Sequence, residues 1–550
     1  MKKFLRNLSL MLAAGAFMTS CADYNVTDNF RADPDPSFVE PYKDLGAVKS
    51  YINREQYPNL SLGAMLKVSD FNKQELAHAA AITNFDDVAF GTSLMPGSIV
   101  NAKGVMNFLD MKDLLDHAED IGADVFGSPI AANANQADDW MKYLTSPIEI
   151  PVDFVEGKTV NFNEISVGNY TGTVEKGKAA IVKYDDQNVL QINTASNVRI
   201  IEDFEVDPLS IYTVTFWAKS EKDVTYTVNF SGNNVEGSYT EGKWQLKAGK
   251  WTKVVVESQS APDVTNGYLR IDNAKNGIMY IQKVQIGYMP DNHRPQTAEE
   301  INDTIHHAIN AWCDGLMKIN EGRITSFDLI DEALDTKTLE NGMYDLKHSS
   351  DKIFWQDIFG SENYAPVVSK AASEAYEKYD GDPSKLLFFI SETGLEDAKK
   401  MESLKYWMGI WEGNGAKIDG VNAKLNLSYS EDAATQAANE ATLNTLLGNL
   451  AATGKLVRLS NFDIKYKDAE GNNVAAKDIT AEQRQKLADY YGNVIKSYMN
   501  NIPKEKQAGI CKGNMVDTND PVGLWSIDKY SKDWVRTATY KAFCDALSGQ

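Results

Sequence analysis

ITSFDLIDEALD, residues 324–335, is the stretch around which the rest of the chain is arranged. Ile324, Phe327, Leu329 and Ile330 make a short apolar run, which ends on an acidic pair, Asp331-Glu332, followed by Ala333. Short continuous apolar runs of this kind read as strands buried on both faces. A carboxylate just past the end of such a strand stands where a closed parallel sheet presents its reactive groups.

Downstream, helical and strand-like runs alternate. A helix around 365–379 leads to the strand KLLFFISE, and the helix DAKKMESLKYWMGIWEGNGA leads to the strand IDGVNAKLNLSY. ATQAANEATLNTLLGNLAATG then precedes KLVRLSNFDIKY, and ITAEQRQKLADYYGNVIKSYMNNI precedes QAGICKGNMVD. The closing helix is TATYKAFCDAL. Upstream of the quoted stretch lie the helix EEINDTIHHAINAWCDGLM and the connector DNHRPQT.

From Pro147 to about Gly287 the helical period disappears. AAIVKYDD, NVLQINTA, YTVTFWAKS, YTVNFSG, TKVVVESQ, GYLRIDN and IMYIQKVQIGY recur between turn residues, which predicts an antiparallel β-sandwich. Before it the alternation returns. LSLGAMLKV (60–68), DVAFGTSL (87–94) and DVFGSPIAA (124–132) read as strands. QELAHAAAITNF (74–85) and GVMNFLDMKDLLDHAEDIGA (104–123) read as helices, the second stopping at a glycine. Three strands before the sandwich and five after it make eight. The prediction is an α/β chain: a (β/α)8 barrel from residues 38–146 and 291–550, with a sandwich, 147–290, inserted after the third strand on the face that carries active sites.

Residues 1–20 read as a signal peptide, with Lys2, Lys3 and Arg6 before the apolar run LSLMLAAGAFM. Cys21 follows Thr19-Ser20 in what resembles a bacterial lipobox, so lipidation at Cys21 and a polar tether over 21–37 are expected. Asp23 and Asp28 resemble a signal for the outer face of the outer membrane. No later run is long or apolar enough to span a bilayer. Cys313, Cys511 and Cys544 read as buried thiols, with one bridge between Cys511 and Cys544 left open. A net charge of −22 over 550 residues excludes the basic footprint of a nucleic-acid binder.

The segment Phe327-Asp328-Leu329-Ile330-Asp331-Glu332-Ala333 resembles the W-D-V-V-N-E-A segment of glycoside hydrolase family 10, the endo-xylanases. The resemblance implies that Glu332 holds the position of the general acid/base. It also implies a nucleophile on the seventh strand, in I-T-E-L-D-I, where this chain has Leu459-Ser460-Asn461-Phe462-Asp463-Ile464. The nucleophile position is therefore Asn461, and an amide carries no charge to attack or stabilise an oxocarbenium ion. Asp463 matches the family's second acid. The G-H-x-L-x-W-H run becomes Gly127-Ser128-Pro129-Ile130-Ala131-Ala132-Asn133, and Q-x-H becomes Lys424-Leu425-Asn426. W-G becomes Lys512-Gly513, N-D-Y becomes Ser391-Glu392-Thr393, and the E-N pair falls at Gly91-Thr92. The sandwich runs are similar in framework to carbohydrate-binding modules of families 4, 9 and 22.

None of the six histidines (His78, His117, His293, His306, His307, His348) falls at a family active-site position, and they read as surface or structural residues. No spacing of His, Asp and Glu suggests a metal, and no cofactor is implied. Two roles stand open for Glu332: an ion pair with Lys424 or Lys512, or a surviving role on sugar. An inverting pair would join Glu332 to Glu392 or Asp463 at about 6.5–9.5 Å. Candidate stacking platforms are Trp244 and Tyr239 in the sandwich and Trp355 and Trp525 in the barrel. Asn233, Asn234 and Asn276, with Lys424, Asn426 and Glu392 in the barrel, supply candidate hydrogen bonds. Trp217, Trp251, Trp407 and Trp411 read as core. Three readings follow: a surface lipoprotein that holds a xylan-like polysaccharide for neighbouring uptake proteins, a divergent hydrolase using Glu332, and a scaffold without sugar affinity.

Overall fold

The computed structural model describes residues 42–232, 244–529 and 532–549. The chain divides into two compact units, one of Met1–Leu144 with Asn302–Gln550 and one of Thr145–Ile301.

The first unit is a (β/α)8 barrel. Its strands are β1 (Ser61–Met65), β2 (Asp87–Ala89), β3 (Asp124–Phe126), β4 (Ala131–Ala132), β5 (Ser326–Asp331), β6 (Leu387–Thr393), β7 (Gly420–Lys424), β8 (Leu456–Ser460) and β9 (Gln507–Lys512). They pair in the order β3-β2-β1-β9-β8-β7-β6-β5-β4, and every ladder is parallel. The third barrel strand, expected to run unbroken over 124–132, is split into β3 and β4. Pro129 has no N–H to give a ladder, and the chain steps across it. The Gly127–Phe327 bridge rejoins the two halves, so the sheet closes on itself. The helices α1 (Leu76–Asn84), α2 (Leu109–Ile121), α3 (Ala298–Asn320), α4 (Tyr364–Lys378), α5 (Ala398–Gly413), α6 (Ala433–Ala451), α7 (Ala481–Asn501) and α8 (Ala538–Ser548) alternate with the strands as expected. The expected sixth and seventh strands each break after a few residues. Their second halves, Leu427–Ser430 and Ile464–Lys467, pair with each other outside the main sheet.

Gly127 lies against the buried Phe327 ring, and a methyl group there would overlap it. Gly127→Ala is expected to lower stability by about 1–3 kcal/mol, the usual cost of over-packing a filled core, read by urea unfolding. A loss below about 0.5 kcal/mol would mean that the closure seam is loosely packed.

The second unit is built from antiparallel sheets. One runs Thr252–Gln259, Ile211–Ser220, Met279–Met289, Gln187–Ile192, Ala179–Tyr184 and Gly168–Asn169, with Val155–Asn161 also on Met279–Met289. The other runs Trp244–Leu246, Val224–Gly232, Asn266–Lys275, Ser196–Glu205 and Val174–Lys176. Their alternating inward residues, among them Phe216, Val228, Ile271 and Ile281, form one apolar core. Alternation also corrects one expectation. Tyr212, Val214, Phe216 and Ala218 point inward, so Trp217 points out and is 43% exposed. Trp251 is half-buried, and its Nε1 donates to Asp185 at 3.1 Å.

The bridge between Cys511 and Cys544 does not form. Cys313, Cys511 and Cys544 are free, buried thiols. Cys511 lies in the barrel bore against Ala89, Phe126 and Phe389, while Cys544 belongs to the outer helix α8. Among the described residues no helix is long and apolar enough to cross a membrane. Residues 1–37, with Cys21, lie outside the described residues, as do Asn233, Asn234 and Tyr239.

Candidate functional site

A cavity of about 370 Å³ opens at the carboxyl ends of the barrel strands. Its floor and one wall come from β5, β7 and β8. Asp328, Asp331 and Glu332, from β5 and the turn after it, meet Asn422 and Lys424 of β7, Ser460 of β8 and Asn461. The short apolar β5 buries its side chains on both faces, which carries Asp328 into the bore. Glu332 and Asn461 both adopt left-handed backbone, with φ of 48° and 51°. Non-glycine residues pay strain there, and such strain concentrates at functional turns. The Glu332 N–H donates to the Ser391 carbonyl at 2.9 Å, which holds the turn.

Lys424 links the carboxylates. Its Nζ lies 2.5 Å from Asp331 Oδ1 and 3.1 Å from Glu332 Oε1. The two acids respond differently. Burial raises the Glu332 carboxyl, but Lys424, helped by Lys347 and Lys400, outweighs it and holds Glu332 below the ordinary value. Asp331 is 5% exposed; there burial outweighs the same lysine, and its carboxyl is raised. The difference follows from water, which reaches Glu332 but scarcely reaches Asp331. Below them, Asn422 Nδ2 donates to both oxygens of Asp328 at 3.1 and 3.0 Å. Burial and the neighbouring Asp331 push Asp328 up to about 7. Arg458, also lining the cavity, is committed to Asp87 through bonds of 3.1 and 2.7 Å.

The two partners considered for an inverting pair are engaged elsewhere. Glu392 is 1% exposed, pairs with Lys400 at 2.8 Å and accepts the Leu334 N–H at 3.1 Å. It is not among the residues that line the cavity. Asp463 binds Lys512 and accepts from the Asn514 side chain at 2.6 Å. Lys512 therefore serves Asp463, and Glu332 takes Lys424. Asn461 lines the cavity, its Nδ2 donating to the Leu425 carbonyl at 3.3 Å.

Of the other candidates, Asn426 is exposed and outside the cavity lining, its N–H bonded to Glu396. Trp355 is fully buried, stacked on Phe359, and Trp525 is 6% exposed against Tyr540. Neither offers a ring face to a ligand, which corrects both assignments; each lies in a short element folded back onto the core. Trp244 is in a strand, but its side chain is outside the described residues. Asn276 is exposed on the sandwich unit. Trp407 and Trp411 are core, as expected. No histidine lines the cavity. His78 and His117 face each other at 2.8 Å between α2 and α1, where burial first and His117 second lower the His78 imidazole. Asp328, Asn422 and Arg458 were not singled out from sequence. The signal available was a charged or amide residue inside each buried parallel run: FDLID, GVNAK and LVRLS.

Residues 289–524 match the family model described as glycosyl hydrolase family 10, so this part of the chain resembles that family. No curated protein matches the sequence. Among solved structures, the Penicillium canescens endo-1,4-beta-xylanase aligns at 12% identity and a TM-score of 0.50, over 92% of this chain and 98% of that one. Xylanase B from Clostridium stercorarium F9 aligns at 10% identity and a TM-score of 0.50, over 91% and 100%. A GH10 structure from Paenibacillus barcinonensis aligns at 12% identity and a TM-score of 0.50, over 89% and 96%. At these identities the structures speak to the fold.

Proposed function

We propose that this chain is a cell-surface lipoprotein of the outer membrane that binds a xylan-like polysaccharide through a family 10-like barrel without hydrolysing it. The observation that carries the reading is the Glu332–Lys424–Asp331 cluster facing Asn461 across one cavity. A retaining glycosidase needs a protonated acid and a carboxylate nucleophile about 5–5.5 Å apart. Here the acid position is held ionised by a lysine, and the nucleophile position is an amide. What remains is a cavity at the strand ends whose β5, β7 and β8 side carries polar groups suited to hydroxyls. The xylan preference rests on the xylanase names of the similar structures, and the lipid anchor on Cys21.

Reducing-end release from soluble xylan and other plant β-glycans, with the chain from residue 22 onward, tests this. The expected result is no release, the same for Glu332→Gln, together with retardation in gels containing xylan. Release that disappears in Glu332→Gln would restore the hydrolase reading. No release and no retardation would leave a scaffold.

A further inference from the structure

Resting on that glycan-binding reading, we infer that Asp328 is a positioning residue for the ligand: it holds the Asn422 amide with Oδ1 turned away from it, and that oxygen selects a sugar through a hydroxyl that donates. The two residues come from β5 and β7, with β6 between them, so they meet only across the bore. Such positions in a closed parallel barrel ordinarily carry branched apolar side chains packed in layers. Here they carry an acid and an amide that are 6% and 3% exposed.

The hydrogen bonds set the direction of the amide. A carboxylate only accepts, so it draws the amide nitrogen toward itself. Asn422 Nδ2 donates to Asp328 at 3.1 and 3.0 Å, and Asn422 Oδ1 is left buried with no partner among the described residues. Ser460 Oγ and Ser128 Oγ are in the same condition, and all three residues line the cavity. Buried polar atoms without partners are costly, so these positions call for polar groups from whatever fills the cavity. The three atoms stand on β7, on the end of β8 and on the stretch after β3. A sugar ring, with hydroxyls around its rim, suits demands that come from separate strands.

The three atoms differ in what they ask for. A serine hydroxyl turns to donate or to accept, and so takes a ligand hydroxyl in either sense. An amide oxygen only accepts. Asn422 Oδ1 therefore fixes the sense of one hydrogen bond. A ligand with no donor at that place leaves the oxygen unpaired, and a site built to bond a hydroxyl rejects the analogue that lacks it.

The test is an NMR titration of the intact chain in detergent with xylotriose, methyl β-xyloside and its mono-deoxyfluoro analogues, in each of which fluorine replaces one ring hydroxyl and cannot donate. It is run at pH 8, above the value of about 7 to which Asp328 is pushed, so that the carboxylate is ionised. At least one analogue is expected to bind about tenfold more weakly than methyl β-xyloside, equivalent to about 1.4 kcal/mol. Asp328→Asn is expected to abolish that difference, because the introduced amide can donate to Asn422 Oδ1 and occupy it. Asn422→Ala is expected to abolish it with Asp328 in place. A merely structural role for Asp328 would weaken every ligand alike and preserve the difference, so a difference that survives either variant would overturn the inference. Equal affinities of methyl β-xyloside and all its analogues for the parent chain would mean that water fills these positions. That result, or binding of xylotriose alone, would overturn the inference and leave the glycan-binding reading standing. Binding of no sugar would overturn both.

Discussion

Lys424→Met is expected to lower stability at pH 7 by about 3 kcal/mol, and acidification is expected to restore most of the loss. Lys424 is the cation between Asp331 and Glu332, at 2.5 and 3.1 Å. Removing one member of a buried ion pair leaves a charge without compensation, at about 3–5 kcal/mol. The low end applies because Glu332 keeps 29% of its side chain in water. The sign with pH follows from each acid. In the parent chain Glu332 is held below its ordinary 4.5, so its contribution is present above that value and is lost as pH falls through the lower folded pKa. Without the lysine, burial dominates both acids and raises both. A carboxyl raised by folding favours the folded state below its unfolded pKa, and that advantage is lost as pH rises through the folded pKa. The variant should therefore gain stability from pH 7 to pH 5, read by urea unfolding at each pH. A loss under 1 kcal/mol with no pH dependence would place Lys424 in an ordinary surface pair. Carboxyl titration by NMR should show Glu332 moving up from below 4.5. On the proposed reading neither parent nor variant hydrolyses xylan, because both carry Asn461.

That last expectation rests on a residue legible in the sequence. The order of strand-end segments placed Asn461 opposite Glu332, and both line the same cavity. The barrel was legible for a similar reason: helices and buried strands differ in period, and their alternation survives large changes in side chain. Register and side-chain direction were less so. Asp328 lies inside the stretch that decides the fold, yet β5 is buried on both faces, so no alternation marks which residues enter the bore. Trp217 was readable, since Tyr212, Val214 and Phe216 set the inward parity; its size argued for burial, and the pleat overruled it. Trp355 failed in the opposite sense. It lies in a one-turn helix, Trp355–Phe359, too short to show a period in the sequence, and it packs against Trp140 from a distant segment as well as Phe359.

Asp328→Asn should stabilise the barrel at pH 8 and flatten its stability between pH 4 and pH 7. Asp328 is 6% exposed with no cation bonded to it, and its hydrogen bonds come from Asn422 Nδ2. Burial first, and then Asp331, raise it from 3.8 to about 7. Its folded pKa thus lies above its unfolded one. The stability it contributes is fully present below pH 3.8 and is lost as pH rises through about 7. At 1.36 kcal/mol per pH unit, that interval amounts to about 4 kcal/mol, an upper figure that any relaxation around the ionised carboxylate reduces. Asparagine preserves the shape and an acceptor for Asn422 Nδ2, and its own N–H₂ can donate to the unpartnered Asn422 Oδ1. The expected gain is about 2–4 kcal/mol at pH 8 and near zero at pH 4, measured as the urea midpoint across that range. A variant less stable than the parent at pH 8 would mean that the Asp328 carboxylate is compensated in the bore by Lys424 or Arg458. The cavity floor would then hold a charged, compensated pair at neutral pH.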